Sequence, residues 1–252
     1  MISLIIPCYN PEYYILEIVK NKIQILENYF EKYEIIIVND GSKKEHNPTF
    51  AQLSNINRSV RVISQKNKGV SAARNFGVHN ANFNIVSFCD ADDMWDNRKI
   101  EIDYTLMMEN KLRIIGSMKR KSRDYFLTIK KLKAINQLYK WGPHVSSIIL
   151  EKKLFEEIGG FNEEMKRAED GDFYLKVINH LGYFPVVNTT LIYNYQDKRS
   201  FGESGLSANL EGMLQGEINA VINNLSYYYY PLIIFLVFKY FLRKIKVILI
   251  RL

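Results

Sequence analysis

Residues 87–95 read SFCDADDMW, an apolar run that ends in three acids within four positions, Asp90, Asp92 and Asp93. Carboxylates this close repel one another, and a strand end beside a core is a poor place for unpaired charge. A metal ion, a basic side chain or water has to balance them. On a strand, Asp90 and Asp92 would point the same way, because side chains alternate with period two. Two carboxylates so placed make a hard oxygen clamp suited to Mg2+ or Mn2+. Such an ion keeps positions open for phosphate oxygens and neutralises charge on a departing diphosphate. The alternatives are a cap on a helix beginning near Asn97, or plain solvation. A lone D-x-D is too short to separate them.

The elements that would position these acids alternate strand and helix. Ile2 to Pro7 is a short apolar run, and apolar residues recur at helical spacing from about Glu12 to Phe30. Glu34 to Val38 reads as a strand closed by the turn residues Asn39-Asp40-Gly41-Ser42. A short helix follows Pro48, Val60 to Ser64 is a third strand, and Ser71 to His79 is a helix that Ser71 could cap. Ile85 to Cys89 is the fourth strand. Continuous apolar strands separated by helices indicate parallel βαβ units with helices on both faces. Ligands bind such sheets beyond the carboxyl ends of the strands. At those ends lie Pro7-Cys8-Tyr9-Asn10, Asn39-Asp40-Gly41-Ser42, Lys66-Asn67-Lys68-Gly69 and Asp90-Ala91-Asp92-Asp93. Four clusters on one rim make a site.

From about 97 to 200 the pattern is α+β. A helix is expected over Arg98–Glu109, followed by the basic segment Lys119, Arg120, Lys121 and Arg123. Ser146–Leu150 reads as a strand and Lys152–Ile158 as a helix that Gly159-Gly160 ends. Asp170–His180 is another helix, short strands fall near Phe184–Val187 and Leu191–Tyr195, and Leu206–Asn223 is a further helix.

With 47% hydrophobic and 24% charged residues, the 252-residue chain can bury a sizeable core. Its two cysteines, Cys8 and Cys89, end strand-like runs and have no metal or redox spacing, so a reduced, cytoplasmic setting is expected. The opening MISLIIPCYN lacks a basic region before its apolar residues and is not read as a signal peptide. The net charge of +7 is uneven: no acid follows Glu217, while Lys239, Arg243, Lys244, Lys246 and Arg251 do. The body is therefore near neutral, which argues against nucleic acid as a partner.

Five segments occur in order: IIPCYN at 5–10, IVNDGS at 37–42, NKGVSAARNFG at 67–77, FCDADDMW at 88–95 and GGFNEEMKRAEDGDF at 159–173. Together they resemble the family 2 glycosyltransferases, among them enzymes that build bacterial surface polysaccharides. The resemblance implies a GT-A (Rossmann-like) α/β fold, a mixed sheet flanked by helices. It implies inverting transfer of a sugar from a nucleotide-diphosphate donor, a UDP-sugar first among them, to a saccharide or lipid-linked saccharide, with Mn2+ or Mg2+. By the same resemblance Pro7, Tyr9, Asp40, Lys66, Gly69, Arg74 and Asp90 bind the donor. Asp40 would accept the N3–H of uracil, and Asp90, Asp92 and Asp93 would hold the metal, with Asp92 first. Asp170 matches the base that takes the acceptor proton, although an acidic helix start explains Glu169-Asp170-Gly171-Asp172 as well. The Gln/Arg-x-x-Arg-Trp signature of processive members is absent, so a single addition is expected. His144 and Arg199 could line the site or simply be surface residues.

This organisation gives a domain over 1–223, with a nucleotide half at 1–96 and an acceptor half at 97–223, and a basic apolar tail at 224–252. The tail is short of the roughly 20 apolar residues a spanning helix needs. It suits a helix lying on anionic lipid at the inner face of the cytoplasmic membrane, or one packed on its own domain or on a second copy. Other readings are an inactive nucleotide-sugar-binding or membrane scaffold subunit, and a sugar nucleotidyltransferase, whose Gly-rich basic first loop is missing here.

Overall fold

Every residue of the first strand, β1 (Ile2–Cys8), is buried, because both of its faces are covered. Leu4, Ile6 and Cys8 join Ile15, Val19 and Leu26 of α1 (Ile15–Tyr29) in one core, while Ile5 faces the other side. Each side chain buried this fully contributes ~1.5–3 kcal/mol. The computed structural model describes residues 1–118, 128–134, 143–195, 209–225 and 231–251. The basic segment at 119–123, Arg199, the start of the Leu206 helix and the tyrosines at 227–230 lie outside the described residues.

The expected alternation is present. β1 is followed by α1, β2 (Tyr33–Asp40), α2 (Asn47–Asn55), β3 (Val60–Gln65), α3 (Val70–His79) and β4 (Ile85–Phe88). β1 pairs in parallel with β2 and with β4, Ile5 lying opposite both Ile36 and Phe88, and β2 pairs in parallel with β3. The sheet then becomes mixed. β8 (Ile149–Glu151) runs antiparallel to β4, and the full order is β3-β2-β1-β4-β8-β6-β9-β7, with β6 at Ile114–Ser117, β7 at Ile129–Leu132 and β9 at Phe184–Val187. A separate ribbon joins β5 (Asp93–Trp95) to β10 (Ile192–Asn194). The α/β fold with a mixed sheet and flanking helices is thus as expected.

Three local readings are corrected. Ser71 does not cap α3: the helix starts at Val70 after Gly69, whose φ of 93° only glycine adopts readily, and no side chain caps it. Residues 145–147 form a 3-10 turn rather than the start of a strand, since the Ser147 hydroxyl bonds the His144 carbonyl at 2.6 Å. The fourth strand stops at Phe88, so Asp90 and Asp92 lie in a turn and the period-two argument does not apply to them.

The chain divides into two compact units. The first comprises Met1–Lys131, Pro143–Gly160 and Pro185–Asp197; the second comprises Leu132–Gly142, Phe161–Phe184 and Lys198–Leu252. The first holds the sheet, α1 to α3, α4 (Lys99–Glu109) and α5 (Lys152–Glu157). The second packs α6 (Glu169–Leu181), α7 (Leu210–Asn224) and α8 (Pro231–Arg251) around Leu175, Ala220, Val221 and Leu236. α7 meets the turn before α6 backbone to backbone, since a Cβ on Gly216 would stand 2.4 Å from the Arg167 carbonyl oxygen. Among the described residues no helix is long and apolar enough to cross a membrane.

Candidate functional site

The rim at the carboxyl ends of β1, β2 and β3 is stitched by polar side chains. Asn10 follows Tyr9 with a φ of 47°, which Asn tolerates better than most residues. Its amide bonds the Ser42 hydroxyl at 2.8 Å, and its own side chain accepts the Lys43 amide at 2.9 Å. Asp40 is buried, and its two oxygens accept from Gln65 Nε2 at 2.8 Å and from the Lys68 and Gly69 amides at 2.9 Å. Asp40 therefore builds the loop that leads into α3. Among the described residues, three donors occupy its two oxygens. Pro7 is buried in β1, whereas the Tyr9 ring is 53% exposed beyond it. Lys66 is exposed on the loop before Gly69, where no atom lies within 4 Å of the place a Cβ would take.

Each of the three acids is balanced differently. Asp90 pairs with the buried Arg74, whose Nη2 stands 2.7 Å from Oδ1. Asp93, 1% exposed, accepts from the Ser146 hydroxyl at 2.6 Å through Oδ2 and lies 3.2 Å from His144 Nδ1. Asp92 is exposed. The protein around it, and then the charges of Asp93 and Asp90, hold its carboxyl above the usual range.

Asp90, Asp93 and His144 bring one ligand atom each to within 4.8 Å of one another. Asp93 Oδ1 is buried and takes no hydrogen bond from any described residue, an expensive state for a carboxylate oxygen. His144 Nδ1 lies 3.4 Å from the Ser146 amide and 3.2 Å from Asp93 Oδ2, which turns the ring toward the acids. An orphaned carboxylate oxygen, a second carboxylate and an imidazole nitrogen fit a divalent cation. Asp92 is not in this group, and His144, which the sequence left open, is.

Beneath the acids lies a buried support that sequence reasoning missed. Trp95 is fully buried between two fully buried lysines, with Lys22 Nζ 5.1 Å and Lys99 Nζ 4.6 Å from its ring. Lys22 donates to the Asp93 carbonyl at 3.0 Å. Burial, the largest influence, pulls its ammonium down to about 8. Lys99 donates to Asp103 and to the Ser147 carbonyl, each at 3.0 Å, and Trp95 Nε1 bonds the Ser146 carbonyl at 2.9 Å. The bracket thereby ties α1 and α4 to the two segments that carry Asp93 and Ser146. Cys89 beside it is buried and free, and burial pushes its thiol up to about 12, as for Cys8. Both act as small apolar groups.

Asp170 belongs to the second unit, in the first turn of α6 with Glu169 and Asp172. The residue before the helix, Ala168, has a φ of 56°, a strained conformation for alanine. Asp172 is held inside by Asn224 Nδ2 at 2.7 Å and Lys176 Nζ at 3.1 Å, whereas Asp170 is partly exposed. The two acids thus differ: Asp172 is locked into packing, whereas Asp170 is partly exposed and accepts the Gly171 amide at 2.8 Å.

The family described as Glycosyl transferase family 2 matches residues 3–166. An uncharacterized glycosyltransferase of Rickettsia felis is 30% identical over 192 residues, covering 71% of this chain and 31% of that protein. The uncharacterized glycosyltransferase EpsJ of Bacillus subtilis is 25% identical over 247 residues, 90% of this chain and 70% of its own length. The chain spans 27–31% of the length of the Rickettsia relatives it matches. A crystal structure of S. aureus TarS 1-349 in complex with UDP-GlcNAc superposes with a TM-score of 0.66 at 19% identity, over 88% of this chain and 67% of that one. The fold is that of the GT-A glycosyltransferases.

Proposed function

The chain belongs to glycosyl transferase family 2, and on that footing we propose that it moves a sugar, with inversion and in single additions, from a UDP-sugar to a hydroxyl of a saccharide or lipid-linked saccharide. UDP is named because the similar TarS structure was solved with UDP-GlcNAc. Residues 1–96 hold the donor, 97–223 face the acceptor, and the stretch 224–252 contacts the membrane at its inner face.

The observation that carries this reading is the convergence of Asp90, Asp93 and His144, with Asp93 Oδ1 buried and without a donor among the described residues. These residues, with Asp92 at the exposed edge, would hold Mn2+ or Mg2+. A bound divalent ion supplies positive charge against the diphosphate oxygens as they leave. Tyr9 offers its exposed ring to the uracil, and Asp40 takes the uracil N3–H. Pro7 shapes the floor beneath the base. Lys66 and the open backbone at Gly69 face the ribose and diphosphate, and Arg74 orients Asp90 through their 2.7 Å pair. Asp170 accepts the proton of the acceptor hydroxyl while the oxygen of that hydroxyl bonds the anomeric carbon. The bond from that carbon to the diphosphate breaks, and UDP carries away the electron pair. A positioned carboxylate of this kind contributes ~10²–10⁴-fold.

The test is turnover. Purified chain with a panel of UDP-sugars, Mn2+ and saccharide or lipid-linked acceptors should release UDP only when donor and acceptor are both present. Asp170→Asn should abolish this while UDP still raises the unfolding temperature. Turnover unchanged in Asp170→Asn would remove the base from the account.

A further inference from the structure

Helix α8 has two apolar faces, and among the described residues only one of them is covered. On the inner face Leu236 and Tyr240 are buried, and Lys239 and Arg243 both donate to Glu217 of α7, at 3.1 and 3.0 Å. These contacts fix which side of the helix points outward. That side carries Ile234, Phe238, Phe241 and Leu242, which are 75, 58, 55 and 52% exposed. Their spacing of i, i+4, i+7 and i+8 places them in a single stripe along the helix. Large apolar residues scattered singly need no explanation, but a continuous stripe does.

We propose that this stripe is a membrane-docking face: α8 lies parallel to a bilayer that contains anionic lipid, with the stripe in the interfacial layer. Charge chooses the occupant. No acid follows Glu217, and Glu217 itself is engaged on the inner face, whereas Lys244 is exposed beside Tyr240, its Nζ 5.4 Å from that ring, and Lys246 and Arg251 follow it in the chain. A second copy presenting the same stripe would set one acid-free basic helix against another, with nothing to pair the cations. Anionic headgroups supply the missing charge, and acyl chains take the rings. Among the described residues the helix is not apolar enough to cross, since cations interrupt it from Lys239 onward. This inference deepens the membrane part of the proposed function and is independent of the donor chemistry.

The test uses the full chain, sedimented with phosphatidylcholine vesicles that contain or lack phosphatidylglycerol. Wild type should bind the anionic vesicles at least about tenfold more tightly than the neutral ones, and salt should weaken the binding. Phe238→Glu with Phe241→Glu should abolish it, Phe238→Leu with Phe241→Leu should retain it, and Lys244→Glu should weaken it, with unfolding temperatures near wild type. Should the double Glu variant not fold, Lys244→Glu decides alone. Wild type that ignores anionic vesicles, or Glu variants that bind as wild type does, would overturn the proposal. So would a dimer in analytical ultracentrifugation that the Glu substitutions split, which would make the stripe a contact between copies. UDP-dependent stabilisation measured on the same samples reports on the transferase reading, so either can fail alone.

Discussion

The Ser146 hydroxyl donates to Asp93 Oδ2 at 2.6 Å and accepts the Asp90 amide at 2.9 Å. One small side chain from the segment before β8 therefore holds both acids that converge with His144. Ser146→Ala removes a buried donor and leaves Asp93 with less satisfaction still. It is expected to cost about 1–3 kcal/mol, read from urea unfolding. Mn2+ affinity should fall by about 10–100-fold, as for other groups that orient ligands. Unchanged Mn2+ affinity would remove Ser146 from the site.

Lys99 and Asp103 form a fully buried ion pair at 3.0 Å. Burial raises the Asp103 carboxyl, and Lys99 opposes this. Asp103→Ala strands the ammonium beside Trp95 and should destabilise by about 3–5 kcal/mol, whereas Lys99→Met combined with Asp103→Leu should cost markedly less. Chemical denaturation of both variants checks the order. Equal losses would mean that the pair matters for packing and not for charge.

Glu34 sets an acid limit to stability. Burial pushes its carboxyl up, but the Ser3 hydroxyl, the Asn82 amide and the Arg61 guanidinium pull harder and leave it below the ordinary 4.5. A depressed carboxyl contributes stability that is present above its unfolded value and lost as pH falls through its folded one. The stability gap between wild type and Glu34→Gln should therefore be constant near neutrality and shrink below pH 4.5. A gap that persists in acid would contradict this.

Gly69 joins the loop after β3 to α3 with a φ of 93° and with open space where a Cβ would sit. The cost of Gly69→Ala is thus conformational and not steric, about 1–3 kcal/mol. The substitution also shifts an amide that Asp40 holds. UDP binding should weaken together with stability, and calorimetry with UDP would show it. Wild-type affinity in this variant would place the nucleotide elsewhere.

Much of this was legible in the residues. The strand–helix alternation, the four rim clusters and the motif order led to the fold and the family, because continuous apolar strands and turn residues are local signals. The register of the acids was not. Asp93 opens a strand that pairs with Ile192–Asn194, a partner far along the chain, so alternation along Ile85–Cys89 could not be extended through it. His144 and Ser146 reach the acids by the same long-range folding, which spacing does not encode. One signal was present and unread. Lys22 sits on the apolar stripe Ile15, Ile18, Val19, Ile23 and Leu26 of α1, and a lysine in that register has to be buried with a partner.

Under the proposed function, a divalent cation at Asp90, Asp93 and His144 helps to bind the donor nucleotide. Thermal unfolding with UDP, with and without Mn2+, on wild type and Asp93→Asn tests it most directly. UDP at about 100 times its Kd should stabilise wild type by roughly 2.7 kcal/mol. That shift should need Mn2+ and should vanish in Asp93→Asn. A UDP shift of equal size without metal, or one retained in Asp93→Asn, would contradict the claim.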